Sequence, residues 1–215
     1  MRWRATVLVL AMCAAMPACG DDGSSGASTL TAEQLQTRLL TVTDAGAGWQ
    51  QAGPVGEADF DDAGQIPCEN MALNPTIRDR LRPVTGVQFE PADTSSKHLI
   101  EFAVSEDPDR LRADLDARFG AMDACVKAPA GTGSGAVQLT TFDVPKVGDQ
   151  RAGYRMVATV APDNVWLVRT ATVRVGARAI TLGLTEIVPT PTATPTIGDA
   201  DFRRLVETAA KKVGA

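Results

Sequence analysis

The sequence predicts an α+β fold: a single domain with one antiparallel β-sheet of about five to seven strands, packed by helices and tied by one disulfide. Three observations point there. The chain has 215 residues, the length of one domain. Its second half runs through four consecutive alternating segments broken by turn residues, as antiparallel strands do. Segments with apolar residues at helical spacing lie before, between and after the strands, so helices and strands do not alternate strictly as in a parallel α/β fold. Composition agrees, because 19 Gly and 13 Pro argue for many turns rather than a helical bundle, and 22% charged and 44% apolar residues are ordinary globular usage. A formal charge of -5 and a pI near 4.9 argue against the basic surface that phosphate backbones need, so no nucleic-acid partner is expected.

Residues 1–18 read as a lipoprotein signal peptide. Arg2 and Arg4 precede a short apolar run from Ala5 to Met16, well below the roughly 20 residues that span a membrane. The junction Met16-Pro17-Ala18-Cys19-Gly20 resembles the bacterial lipobox, in which a small residue precedes a cysteine whose thiol takes diacylglycerol. Met16 and Pro17 depart from the commoner Leu-Ala or Leu-Ser pair. Cys13 suits the role less well, because Met12 would fill the small-residue position. The resemblance implies that Cys19 is lipidated, which places the protein on the extracytoplasmic side of the cell membrane. Residues 19–29, rich in Gly, Ser and Asp, then form a flexible tether, and residues 30–215 form the folded domain.

Once Cys13 leaves with the signal and Cys19 carries lipid, Cys68 and Cys125 remain. An even pair in an oxidising compartment reads as a disulfide. Metal ligation is the rival reading, but the chain has one histidine and no C-x-x-C, so no metal and no cofactor are expected.

The first helix is predicted to begin at Thr31, where Thr31 and Gln34 fit a capping box and Leu30 and Leu35 a hydrophobic staple; it should fade near Thr41–Gly46. Gln65–Leu81 reads as irregular chain plus a short helix. In the next segment Ile100, Phe102 and Val104 share one face of a strand, with Gly86–Phe89 as its partner. Asp107 as N-cap and Pro108 at the first helical position start a second long helix, whose stripe is Leu111, Leu115, Phe119 and Met122 and whose end carries Cys125.

Ala128–Gly135 is a Gly/Pro-rich loop, followed by strands over Ala136–Val144, Gly153–Ala161, Val165–Val175 and Arg178–Val188. Gly176-Ala177 fits a two-residue type II′ turn, which pairs Val173 with Ile180, Ala171 with Leu182 and Arg169 with Leu184. One face is then apolar, and the other carries Trp166, Val168, Thr170, Thr172 and Thr181. For the preceding hairpin, an even loop around Pro162-Asp163-Asn164 is expected, placing Tyr154, Met156, Ala158 and Val160 on the apolar side. Val188–Thr196 is a Pro/Thr linker, expected to be extended. The chain closes with a helix from about Asp199, buried through Phe202, Leu205, Val206, Ala209 and Val213.

Catalytic patterns are scarce. His98 is the only histidine and reads as a strand-end residue. Gly131–Gly135 lacks the lysine and spacing of a phosphate loop. Glu57, Asp59, Asp61 and Asp62 cluster, but the calcium-loop positions are incompletely filled, so a solvated acidic loop accounts for them. Arg169 falls on the apolar face with Glu186 diagonal to it. A charge there needs a partner, so Arg169 either pairs with Glu186 or meets an anionic ligand in a cleft. Trp166 and Trp49 fit core packing or ligand stacking. Arg169, Glu186 and Trp166 are thus the candidate ligand-binding residues.

Taken together, the lipobox cysteine, Leu39-Leu40-Thr41-Val42-Thr43-Asp44 with Gly48-Trp49, Pro67-Cys68, the helix ending at Cys125 and the Val147-Gly148-Asp149 loop resemble actinobacterial cell-envelope lipoproteins with a sensor-like domain, similar to the PknH-like extracellular domain family. The resemblance implies an antiparallel sheet flanked by helices, with a cleft for an unidentified ligand. Members with two disulfides differ from this chain, whose mature domain can form one. The function expected is a non-enzymatic, lipid-anchored binding module for a small or amphipathic ligand, held at the membrane and open to an envelope protein partner. The alternatives are a carrier of envelope lipid, which needs a large apolar cavity, and a hydrolase of unrecognised type.

Overall fold

The computed structural model describes residues 29–53, 55, 75–92, 96–127, 137–161, 164–193, 195 and 197–215. The expected signal peptide, Cys19, most of the tether, Cys68, the acidic cluster at 57–62 and the glycine-rich loop at 131–135 lie outside the described residues.

Thr31 caps α1 (Ala32–Gln36) through a reciprocal box: Gln34 N–H donates to Thr31 Oγ1 at 3.2 Å, and Thr31 N–H to Gln34 Oε1 at 2.9 Å. The helix stops well short of Thr41. The cause is tertiary, since Leu40 N–H donates to Glu101 Oε2 at 2.6 Å instead of to a carbonyl one turn back. Thr41 then opens a second capping box with Asp44 and starts α2 (Val42–Ala45). A short edge strand, β1 (Trp49–Gln51), follows, then α3 (Pro75–Arg80). The hairpin β2 (Thr85–Pro91) and β3 (Lys97–Ser105) leads into α4 (Pro108–Lys127), where Arg110 N–H donates to the capping Asp107 carboxylate at 3.0 Å. The meander β4 (Val137–Thr141), β5 (Gln150–Ala161), β6 (Asn164–Val175) and β7 (Arg178–Val188) precedes the final helix, α5 (Asp199–Gly214).

The strands form one antiparallel seven-stranded sheet in the order β1-β2-β3-β7-β6-β5-β4. β3 joins β7, with Leu99 opposite Leu184 and Ala103 opposite Ile180, so hairpin and meander share one layer. The β6–β7 register is the expected one: Val173 pairs with Ile180, Ala171 with Leu182 and Arg169 with Leu184, around a Gly176 whose φ is +61°.

The β5–β6 register differs from expectation. The hairpin tip is even, with Ala161 opposite Asn164, but the pairing shifts by one residue between Thr159 and Ala161. Beyond that bulge Arg155 faces Arg169 and Gly153 faces Ala171, while Tyr154, Met156 and Ala158 lie on the threonine-rich side. One extra residue in one strand reverses every side chain after it. The Pro/Thr segment also departs from an extended form, because Ala193 N–H returns to Thr190 O at 3.1 Å and closes a turn.

Helices cover one face of the sheet and one end of the other. The larger core lies on the face of Leu99, Ala103, Ala171, Val173, Ile180, Leu182 and Leu184, under α1, α2 and α5, whose Leu35, Phe202, Leu205, Val206, Ala209 and Val213 are buried there; Trp49 packs at its margin. On the other face α3 and α4 bring Leu81, Leu111 and Leu115 against Val104 and Ala179. Asp114 of α4 is buried and takes both Nε and Nη2 of Arg80, at 2.6 and 2.5 Å, which fastens α3 to α4. Cys125 is buried at the end of α4 and is not a free thiol.

Candidate functional site

Three adjacent strands, β5, β6 and β7, and one helix start bring four charges together. Arg169 of β6 and Glu186 of β7 lie diagonally on the core face and pair at 2.7 Å, with side chains only 3% and 2% exposed. Asp199, at the first position of α5, accepts from Arg169 Nη1 at 3.1 Å and from Arg155 Nη2 at 2.8 and 2.7 Å. The remaining Glu186 oxygen accepts Ile197 N–H at 3.4 Å. Rings complete the cage: Arg169 lies 5.7 Å from the Phe202 centroid, and Arg155 5.9 Å from that of Phe142. Every charge in this group has an opposite partner, so the arrangement offsets the desolvation of Arg169 and fixes α5 to the sheet.

The three sequence candidates are therefore split between faces. Arg169 and Glu186 are spent on each other beneath α5, and Trp166 stands on the opposite side of the sheet, 42% exposed. They do not line one common cleft, because Trp166 and Arg169 are three positions apart in one strand and alternation sends them to opposite faces. Sequence reasoning missed Arg155 and Asp199. Arg155 reached this face only through the bulge, which no residue pattern announces.

Trp166 belongs to an apolar row that crosses four strands. Val137 pairs with Ala158, Ala158 with Trp166, and Trp166 with Ile187, so all four side chains share one face. Val137 and Ile187 are each 37% exposed. The next row inward carries Leu139, Met156, Val168, Thr185 and His98, whose Nδ1 is buried without a hydrogen-bond partner. Farther along, Thr172 and Thr181 bond each other at 3.0 Å across the strands. α4 covers this far end, leaving there a gap of about 10 Å³ lined by Leu115, Arg118, Phe102 and Thr172. A gap of that size admits a water molecule and excludes an acyl chain.

Glu101 is a second feature absent from the sequence reading. It sits on the large core face between Leu99 and Ala103, fully buried. Oε2 accepts Leu40 N–H, and Oε1 has no partner. Burial pushes its pKa up to about 7, with the Asp44 carboxylate adding to the rise and the Leu40 N–H and Lys212 opposing it. Nearby, Lys212 of α5 is held by Asp44 at 2.7 Å.

Among the described residues, no group of three or more His, Cys, Asp or Glu side chains is placed to hold a metal ion, and no helix is long and apolar enough to cross a membrane.

The chain is similar in fold to the extracellular domain of PknH from Mycobacterium tuberculosis, with a TM-score of 0.56 and 11% identity over 86% of this chain and 97% of that domain. A protein from Mycobacterium smegmatis aligns with a TM-score of 0.41 and 12% identity, over 81% of this chain and 97% of the other. No family model and no curated protein matches the sequence.

Proposed function

We propose that this protein is a non-enzymatic, sensor-like binding module of the cell envelope, anchored by lipid on Cys19 and stapled by a Cys68–Cys125 disulfide. The observation that carries the reading is the fold shared with the PknH extracellular domain along nearly its whole length. The lipobox-like junction and the acidic net charge agree with it. Among the residues first considered for ligand contact, Trp166 is the one offered to solvent. We therefore place an amphipathic ligand along the row Val137, Ala158, Trp166 and Ile187, in which Val137, Trp166 and Ile187 stand exposed and Thr185 lies in the next row. Arg169 and Glu186 then act from beneath, by holding β6 and β7 in register.

The test is mass spectrometry of the protein extracted from its native envelope, wild type beside Trp166→Ala. A small molecule that co-purifies with the wild type and is lost from the variant supports the reading. A molecule retained equally by both moves the site elsewhere. Under the same proposal Cys19→Ala shifts the protein out of the membrane fraction, and its retention there overturns the lipid anchor.

A further inference from the structure

The two edge strands of the sheet differ in character. β1 has three residues, and its Trp49 packs at the margin of the core. β4 runs Val137-Gln138-Leu139-Thr140-Thr141 and carries no charge. Among the described residues no strand lies beyond it. Leu139 is half-buried and its four neighbours in the strand are exposed. One bond fixes the direction of its backbone groups: Phe142 N–H donates to Gly153 O at 2.7 Å. Alternation then turns the N–H and C=O groups of Thr140 and Gln138 toward β5, and those of Val137, Leu139 and Thr141 away from it.

Outward-facing donors and acceptors on an edge strand are a template for another strand, which Lys, Pro or a bulge commonly blocks. β4 contains neither residue and pairs with β5 without a register break. Its pattern also matches itself. An antiparallel copy centred on Leu139 sets Leu139 against the partner's Leu139 and Val137 against the partner's Thr141. All the outward-facing residues are then paired in both copies, and a register centred elsewhere pairs fewer. Leu139, Met156 and Val168 form one apolar row across β4, β5 and β6, so this register joins the row to its own copy through a two-fold axis. Arg155, opposite Thr140, stands one strand in. The two copies of it are about 14 Å or more apart at ordinary strand spacing, where salt screens their repulsion.

We propose that β4 pairs antiparallel with β4 of a second copy of this chain, forming a two-fold dimer with one sheet continuous through both. The occupant is a second copy rather than a foreign strand because the uncharged edge, the register and the apolar row each match themselves. Each facing pair of outward residues exchanges two main-chain hydrogen bonds. The contact is narrow. Anchoring both copies in one membrane, a point that rests on the lipid-anchor reading above, raises their effective concentration and favours it.

The experiment is cysteine cross-linking of the full chain in its native membrane. Leu139→Cys, Val137→Cys, Thr141→Cys and Trp166→Cys are each oxidised with copper phenanthroline beside the wild type. In the proposed register the two Leu139 Cα atoms lie about 5.5 Å apart, within disulfide range. Val137 lies about 14 Å from its own counterpart, outside that range. Leu139→Cys should therefore gain a disulfide dimer that the wild type lacks. Val137→Cys and Thr141→Cys should give no dimer alone and a heterodimer when co-expressed with distinguishable tags. This pattern supports the proposal. A folded Leu139→Cys variant that stays monomeric, or that links to a different protein, overturns it. Equal dimers at all four positions, or a dimer at Trp166→Cys alone, also overturn it, the latter by moving the contact to the open face. Should melting show that Leu139→Cys does not fold, the mixture of the two exposed variants decides. The same substitutions in purified Cys19→Ala protein, oxidised at high concentration, test the pairing without the anchor. The same pattern there supports the pairing whether or not the anchor reading holds.

Discussion

Arg155 and Arg169 stand directly opposite each other on neighbouring strands, and the Asp199 carboxylate bonds both guanidiniums. Two cations are thus turned into a bridge that ties the start of α5 to the middle of the sheet. Glu186 supplies the second negative charge, from below.

Removing either acid leaves Arg169 under-compensated in the interior. Glu186→Gln should cost about 3–5 kcal/mol, the range for breaking a buried pair. Arg155 is 41% exposed, so Arg155→Gln should cost no more than about 1 kcal/mol. Denaturant unfolding of the two variants checks the order. Equal losses would mean that the buried pair is not the stronger member.

Glu101 gives stability a distinctive pH dependence. Its folded pKa is about 7 against an ordinary 4.5, so between those values the folded state holds a proton that the unfolded state has released. Its contribution is therefore fully present below about pH 4.5 and is lost as pH rises to about 7, by an amount on the order of 3 kcal/mol. Asp44 acts oppositely: burial raises its pKa, but Lys212 and Thr41 together bring it below the ordinary value, so its share is lost only in acid. Glu101→Gln should flatten the slope between pH 5 and 7 in denaturant-unfolding measurements. An unchanged slope in that variant rejects the assignment.

Gly153 is fixed by close approach rather than by turn geometry. A Cβ there would meet the Val144 side chain and lie 2.7 Å from Phe142 O. Gly153→Ala should destabilise by about 1–3 kcal/mol, read as a lower melting temperature. A neutral result would show that the 142–144 segment yields.

The exposed tryptophan and the disulfide are each open to a simple measurement. Acrylamide should quench Trp166 more strongly than Trp49, which packs against the core, as judged by single-tryptophan variants. A thiol reagent applied to the unreduced mature domain should label neither Cys68 nor Cys125. Labelling of either one contradicts the proposed staple.

Local chemistry carried much of the fold into the sequence. The Thr31 capping box, the Asp107-Pro108 helix start, the β6–β7 register and the buried stripe of α5 all follow from neighbours a few residues apart. The pairing of Arg169 with Glu186 was also among the legible alternatives, because one tight turn fixes both strands. The contacts beyond the reach of local pattern join distant segments. The bulge before Ala161 sent Arg155 to the core face, Glu101 captured Leu40 and ended α1 early, and Asp199 came to share two arginines. Periodicity reports which face a residue prefers within its own strand or helix. It is silent on which distant group will meet a buried charge, and that choice belongs to packing.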